Sequence, residues 1–82
     1  MFEVLTGWKI GVEVADAGGS YIVVSAQQLI ALCHLLTAHG VPHTVEGAVP
    51  SRRHSETPFE MVVRLGLAVG EAHVQSILDS AP

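Results

Sequence analysis

Two stretches of the chain alternate apolar and polar side chains with a period of two, and this pattern restricts the fold more than any other feature. The apolar positions are Trp8, Ile10, Val12 and Val14 in the first stretch and Phe59, Met61, Val63 and Leu65 in the second. Such alternation is typical of a β-strand that buries one face and exposes the other. Strands of this kind pair in antiparallel sheets, so the apolar face requires a second layer to cover it.

Two helices are predicted, and they can supply that layer. The first spans residues 26–39, because Ser25 is a favourable N-cap, Gly40 stands where a left-handed C-cap belongs, and Pro42 prevents continuation. The second spans residues 71–80, which carry an apolar stripe at helical spacing. The residues that we predict in the core are Leu29, Leu32, Leu36, Val63, Ile77 and Leu78.

The remaining segments complete the order of elements. Residues 21–24 form a short apolar run typical of a central strand, and residues 43–49 are a weaker strand candidate that Gly47 interrupts. Residues 50–57 are polar and are expected to form a surface loop. The order β-β-α-β-β-α predicts a single α+β domain over residues 1–82. We expect a small two-layer sandwich with a four-stranded, mainly antiparallel sheet and both helices on one face.

From Tyr21 onward, the order β-α-β-β-α resembles most of a ferredoxin-like fold or a split βαβ variant of it. The resemblance rests on the order of elements alone. Many unrelated functions share this fold, so the resemblance implies an architecture and no activity.

The composition is unusually apolar for so short a chain. Hydrophobic residues make up 49% of the sequence and charged residues 15%, against ~25% charged in typical soluble domains. This composition excludes a disordered tail, and no apolar stretch approaches the ~20 residues of a membrane-spanning helix. A domain of this size has little interior, so the excess of apolar residues predicts that some of them are buried against a second copy or another protein. We expect a homo-oligomer or a subunit of a complex, and no membrane partner.

No catalytic residue, metal site or cofactor is predicted. His34 and His39 project about 140° apart around the helix axis, so they do not chelate together. No cysteine or carboxylate stands at ligand spacing to complete a site with His39 and His43, which flank the turn, so we interpret the histidines as structural or solvent-facing. A metal site shared by His39 and His43 is the alternative. Cys33 lies on the apolar stripe, where a free cysteine acts as a small hydrophobe.

The polar loop contains Arg52 and Arg53, half of the four basic Lys and Arg residues of the chain. Three interpretations stay open: an anion contact, a phosphoacceptor site at Ser55 in an R-R-x-S motif, and a solvated loop tip. Nucleic acid is not expected as a partner, because eight acidic residues outnumber the four basic ones and would repel a duplex. The lone Cys33 and the acidic Glu3 in place of a basic leader favour a cytoplasmic location.

These observations predict a small non-catalytic interaction or assembly module that acts through an apolar surface. The first helix is apolar around more of its circumference than one sheet can cover, so its flank is expected to meet a partner. The residues that we predict at the interaction surface are Ile30, His34, Leu35, Arg52, Arg53 and Val62. The alternative is a small enzyme or ligand-binding domain whose pocket contains Trp8, Tyr21 and histidines and is completed across a dimer.

Overall fold

A computed structural model describes residues 1–5, 7–15, 19–50, 59–66 and 68–81. Within these ranges it contains four strands and two helices. The elements are β1 (Glu13–Val14), β2 (Ser20–Val24), α1 (Ala26–Ala38), β3 (His43–Pro50), β4 (Phe59–Leu65) and α2 (Glu71–Ser80).

The strands form one sheet in the order β1-β2-β4-β3, and each neighbouring pair is antiparallel. Ile22 of β2 and Val45 of β3 both lie opposite Val63 of β4. The unit β2-α1-β3 is therefore split by β4, while β1 occupies the edge beside β2. The prediction of a small α+β sandwich with a four-stranded antiparallel sheet is confirmed.

The core lies between one face of the sheet and both helices. Alternate residues of β2 and β4 point to this face, as the period of two requires. The fully buried side chains are Ile22, Val24, Leu32, Leu36, Val63, Val74 and Leu78. These side chains belong to one cluster that includes both helices, so the helices cover the same face of the sheet. Of the six predicted core residues, five are buried, and Leu29 packs against the cluster while partly exposed.

The ends of α1 follow the predicted capping residues. The hydroxyl oxygen of Ser25 accepts a hydrogen bond from the backbone N–H of Gln28 at 3.3 Å, which is an N-cap. At the other end, Gly40 has φ +66°, and the N–H of Val41 donates to the carbonyl of Leu36 at 2.9 Å. This is the bonding pattern of a Schellman motif. The left-handed glycine therefore stops the helix one residue earlier than predicted.

The predicted strand over residues 8–14 is wrong except for its last two residues, which form β1. Ile10 is buried but Trp8 is 60% exposed, so the expected apolar face does not exist. A side chain of α2 takes the place of a neighbouring strand: Gln75 Oε1 accepts from the N–H of Val12 at 2.8 Å, and its Nε2 donates to the carbonyl of Ile10 at 3.3 Å. The segment is held beside a helix by an amide side chain.

β3 extends one residue beyond its predicted range of 43–49, to Pro50, which was expected in the loop, and it contains a bulge where the sequence places Gly47. The register with β4 shifts between Val45 and Gly47, and Gly47 has φ +105°, a conformation that other residues rarely adopt. Glu46 is the extra residue, and its carboxylate accepts a hydrogen bond from Nε of Arg64 in an ion pair. The predicted loop over residues 50–57 lies, beyond Pro50, outside the described residues.

Replacing a core leucine of α1 should destabilise the fold strongly. Leu32 is fully buried, so Leu32→Ala leaves a cavity and should lower the free energy of unfolding by about 2–5 kcal/mol. Ile30 on the same helix is 68% exposed, so Ile30→Ala should change the free energy of unfolding by at most about 0.5 kcal/mol. Urea unfolding followed by circular dichroism measures both. Equal effects of the two substitutions would show that the buried face of α1 is assigned wrongly.

Candidate functional site

Residues 1–5 and 7–9, called here the N-terminal loop, lie antiparallel to each other as the two arms of a hairpin. The N–H of Glu3 donates to the carbonyl of Trp8 at 2.8 Å, and the N–H of Gly7 donates to the carbonyl of Glu3 at 2.7 Å. Phe2 and Lys9 form an isolated antiparallel bridge. Gly7 has φ +74°, which a glycine adopts without strain. The loop is therefore an ordered turn.

Buried polar groups fasten the loop to the start of α1. The carboxylate of Glu3 accepts hydrogen bonds from the backbone N–H of Ser25 at 3.0 Å and from its hydroxyl at 2.5 Å. The N–H of Val4 donates to Oε1 of Gln28 at 2.9 Å. Glu3, Ser25 and Gln28 are all buried. A buried carboxylate is tolerated only where donors satisfy it, so these contacts fix the position of the loop closely.

A second set of contacts ties the loop to the end of α2. The amino nitrogen of Met1 donates to the carbonyl oxygens of Leu78 and Ala81, and the Met1 side chain is part of the core. The ammonium of Lys9 lies 3.0 Å from a carboxylate oxygen of Asp79. Hydrogen bonds from Lys9 and Gln75 lower the pKa of the Asp79 carboxyl. The loop is thus held at both helices.

This firmly held loop exposes large apolar side chains to solvent. They are Phe2 at 60%, Val4 at 64%, Leu5 at 41% and Trp8 at 60%. At 60% exposure the two aromatic residues alone present roughly 240 Å² of surface. Patches of several hundred Å² on a small protein often mark interaction sites. The N-terminal loop is therefore the candidate interaction surface that the structure adds to those expected from the sequence.

A small cleft lies between the loop and the sheet. It has a volume of about 170 Å³, and its described lining includes Glu3, Trp8, Val23 and Glu60. It forms where the ladder between β1 and β2 stops, beyond the pair Glu13 and Tyr21. This cleft follows from the divergence of residues 8–12 from the sheet.

A larger cleft lies at the opposite end of the sheet, where β2 and β3 start and β4 ends. It has a volume of about 470 Å³, and most of its exposed lining is apolar. Its described lining consists of Gly19, Pro42, His43, Thr44, Arg64, Leu65 and Gly66. Nδ1 of His43 lies 2.9 Å from the carbonyl oxygen of Val41 and donates a hydrogen bond to it, since a carbonyl oxygen only accepts. This volume falls in the range of small-molecule sites.

The structure separates the residues that the sequence predicted to act together. Ile30 and His34 are exposed one turn apart on one flank of α1, whereas Leu35 is half-buried about 140° around the helix axis from Ile30. Val62 is half-buried on the sheet face that the helices do not cover, so it lies apart from that flank. The predicted residues Arg52 and Arg53 lie outside the described residues.

The predicted aromatic and histidine pocket is likewise divided. Trp8 lines the small cleft and His43 the larger one, whereas Tyr21 lines neither. Within the described ranges, no group of three or more His, Cys, Asp or Glu side chains could hold a metal ion. The two clefts therefore divide the residues that were expected to line one pocket.

Sequence reasoning missed the N-terminal loop because its apolar residues resemble the start of a strand. Phe2, Val4 and Leu5 form an apolar pattern that would extend a strand, and Trp8 begins the strand predicted over residues 8–14. The signal that distinguishes a turn is Gly7 between these residues, together with Glu3 among them, since a buried acid requires nearby donors.

Comparisons with protein-family models, with curated proteins and with solved structures found no match to this chain. Among the described helices, none is long and apolar enough to cross a membrane. The function of the chain is therefore argued from its geometry.

Removing the carboxylate of Glu3 should release the loop at a measurable cost. Glu3→Ala leaves the buried N–H and hydroxyl of Ser25 without their acceptor, so the free energy of unfolding should fall by about 1–3 kcal/mol. Glu71→Ala is the control, because Glu71 is exposed in the first turn of α2, and it should cost at most about 1 kcal/mol. Urea titrations compare the two. An unchanged midpoint for Glu3→Ala would contradict the anchoring role.

The thiol of Cys33 should react slowly in the folded chain. Burial raises the pKa of this thiol, so less thiolate is present at pH 8 than in the unfolded chain. Alkylation by iodoacetamide should therefore be slower in buffer than in urea, and the pH at which the folded rate reaches half its maximum should lie higher. Mass spectrometry of timed samples measures both rates. Equal rates would place Cys33 in open solvent.

Proposed function

We propose that this chain is a small non-catalytic interaction module that binds another protein chain through an apolar surface centred on the N-terminal loop. The partner is a second copy or a different protein. The observation that carries the proposal is the buried contact of Glu3 with Ser25, which orders a loop whose apolar side chains remain in solvent.

The energetics of the loop support this proposal. If the loop served only to cover the core, burying Phe2 and Trp8 would give the greatest hydrophobic stabilisation. Both side chains are instead more than half exposed. An ordered loop loses little conformational entropy when a partner binds, because it is already held in place. Exposed aromatic side chains on a rigid support are typical of the residues that dominate binding energy at interfaces.

The charges on the loop also support it. In the described part of the loop, the charged side chains are Glu3, which is buried on Ser25, and Lys9, which pairs with Asp79. Both charges are compensated within the molecule. An apolar partner surface can therefore cover the loop without leaving a bare charge buried, which would oppose binding.

The flank of α1 is a second candidate surface for the same function. Ile30 is 68% exposed there, and His34 is exposed beside it. The flank exposes one large apolar side chain, whereas the loop exposes four, so the loop has the stronger support. The alternative of a ligand-binding domain has less support, because the aromatic and histidine residues expected in one pocket line different clefts.

Three finer statements belong to the same proposal. We propose that the chain forms a homo-oligomer or joins a complex, that it works in the cytoplasm, and that its sheet is a variant of the ferredoxin-like arrangement. The free thiol of Cys33 supports a reducing compartment. The position of β4 between β2 and β3 supports the ferredoxin-like variant.

Exchange of the loop's aromatic residues tests the proposal. The wild type, carrying an affinity tag and purified from its native cells, should retain partner chains in stoichiometric amount, untagged copies of itself included. The variant Phe2→Ser/Trp8→Ser, purified in the same way, should lose at least 90% of each of these partner chains. The single variant Ile30→Glu tests the flank of α1 in the same assay. Quantitative mass spectrometry of the purified complexes gives the measurement.

Phe59→Ser is the matched control, because Phe59 is 57% exposed and lies outside the loop. It should retain the same chains as the wild type. The proposal is overturned if the folded double variant retains every stoichiometric partner, and loss of those partners in Ile30→Glu alone would move the surface to the flank of α1. Circular dichroism and thermal unfolding establish that each variant is folded.

A further inference from the structure

We propose that residues 9–12 form a segment that closes onto β2 as a continuation of β1, and that the carboxylate of Glu3 keeps it open in the described structure. Three observations carry this inference: the direction of the segment's hydrogen bonds, the position of Glu3, and the cleft between the segment and β2. Closing moves the N-terminal loop, so the inference concerns the regulation of the proposed interaction surface and in that respect rests on the proposed function.

The pairing of β1 with β2 gives the register in which the segment closes. Glu13 lies opposite Tyr21, and two residues further along the N–H of Ala15 donates to the carbonyl of Gly19 at 3.1 Å. Hydrogen-bonded pairs alternate with non-hydrogen-bonded pairs along an antiparallel ladder, so in this register the odd-numbered residues bond toward β2. In a continued strand, the backbone groups of residues 9 and 11 therefore face β2, and those of residues 10 and 12 face away from it.

The bonds that the segment makes in the described structure follow this alternation. The N–H of Ile10 donates to the carbonyl of Met1 at 3.1 Å, and the carbonyl of Ile10 accepts from Nε2 of Gln75 at 3.3 Å. The N–H of Val12 donates to Oε1 of Gln75 at 2.8 Å. Residues 10 and 12 are thus bonded on the side away from β2. The segment already has the backbone direction of a strand, although its pairing with β2 ends at Glu13.

Glu3 occupies the hydrogen-bonding position at which the segment closes. In the continued register Lys9 lies opposite Ser25, so the N–H of Ser25 would donate to the carbonyl of Lys9. In the described structure this N–H donates instead to the carboxylate of Glu3 at 3.0 Å, and the Ser25 hydroxyl donates to the same carboxylate at 2.5 Å. The Glu3 carboxylate and the Lys9 carbonyl therefore compete for one donor.

The small cleft is the space that closing removes. It has a volume of about 170 Å³, and its described lining includes Gly11 from the segment and Val23 from β2. These two residues form the other hydrogen-bonded pair of the continued register, in which the Cα atoms lie ~5.5 Å apart. Because Gly11 has no side chain, nothing on this residue obstructs the approach of the two backbones.

Closing displaces the N-terminal loop. Phe2 forms a bridge with Lys9, and the N–H of Glu3 donates to the carbonyl of Trp8, so the two arms of the loop move with the segment. A partner that binds Phe2 and Trp8 in their described positions stabilises the open state, in which Glu3 is fixed on Ser25. The closed state, which releases Glu3, therefore binds such a partner more weakly.

Disulfide formation across the cleft tests whether the segment closes. The variant Gly11→Cys/Val23→Cys, in a Cys33→Ser background, puts two thiols within disulfide range only when the segment is closed. A side chain at position 11 is tolerated, because its Cβ would lie 3.6 Å from Oε1 of Gln75, an ordinary contact. With oxidised glutathione, the folded variant should form the internal disulfide, and adding Glu3→Ala should raise the rate roughly threefold or more. Mass spectrometry of timed samples measures the rate.

Two further cysteine pairs in the same background are the controls. Glu13→Cys/Tyr21→Cys joins residues that are already opposite each other, so it should form a disulfide rapidly with or without Glu3. Gly11→Cys/Val62→Cys should not form one, because Val62 lies one strand beyond Val23, about 10 Å from position 11 even when the segment is closed.

Hydrogen exchange supplies a second readout that requires no cysteine. In Glu3→Ala most amides should exchange faster, because the fold loses stability, whereas the amides of Gly11 and Val23 should exchange roughly threefold more slowly or less. The inference is overturned if the Gly11/Val23 pair oxidises no faster than the Gly11/Val62 pair, or if Glu3→Ala changes neither the oxidation rate nor the exchange of these two amides. The retention experiment with the native cells still decides the proposed function in that event.

Discussion

The hydroxyl of Ser25 stands where the strand β2, the helix α1 and the N-terminal loop meet. It donates to the carboxylate of Glu3 and accepts from the N–H of Gln28, so one side chain caps a helix and anchors a loop. The amide of Gln28 in turn accepts from Val4. Hydrogen bonds thus link four residues, three of which are buried, so the loss of one bond leaves a buried polar group unsatisfied.

The small size of the chain explains why polar groups, and not apolar packing, hold the N-terminal loop in place. Both helices cover one face of the sheet, and the core draws one cluster of side chains from that face and from the helices. The other face presents Tyr21, Val23 and Val62, which are half-buried, beside the exposed Arg64. A second apolar layer is absent from the described residues, so the segments outside the core depend on directed contacts such as those of Glu3 and Gln75.

The elements whose ends are determined by local chemistry were predictable from the sequence. Ser25 and Gly40 delimit α1 through their own backbone conformations, and the alternation in β4 is read directly from residues 59–65. The strand over residues 8–14 was not predictable in the same way, because Gln75 lies more than sixty residues away in sequence and its amide replaces the strand that would have paired. Long-range side-chain bonds leave no periodic pattern.

The candidate surface was only partly predictable for the same reason. The exposure of Ile30 follows from the helical pattern, since it lies opposite the buried Leu32 and Leu36. The N-terminal loop depends on a carboxylate whose burial no hydropathy pattern anticipates, because Glu3 counts as a polar residue wherever it stands. A buried polar residue, and the exposed apolar residues whose position it fixes, are recognised only when its hydrogen-bond partners in the folded structure are known.

The bulge in β3 bears on how copies of this chain avoid aggregation. An outer strand offers unpaired backbone groups to any other strand, and a long regular one invites the growth of an intermolecular sheet. Gly47 breaks the regular spacing in the middle of β3, and the opposite outer strand, β1, is only two residues long. Neither side of the sheet offers a regular strand long enough to add another chain. Such edges disfavour pairing through the backbone and so favour contacts through side chains, whose chemistry can be selective in a way that backbone pairing cannot.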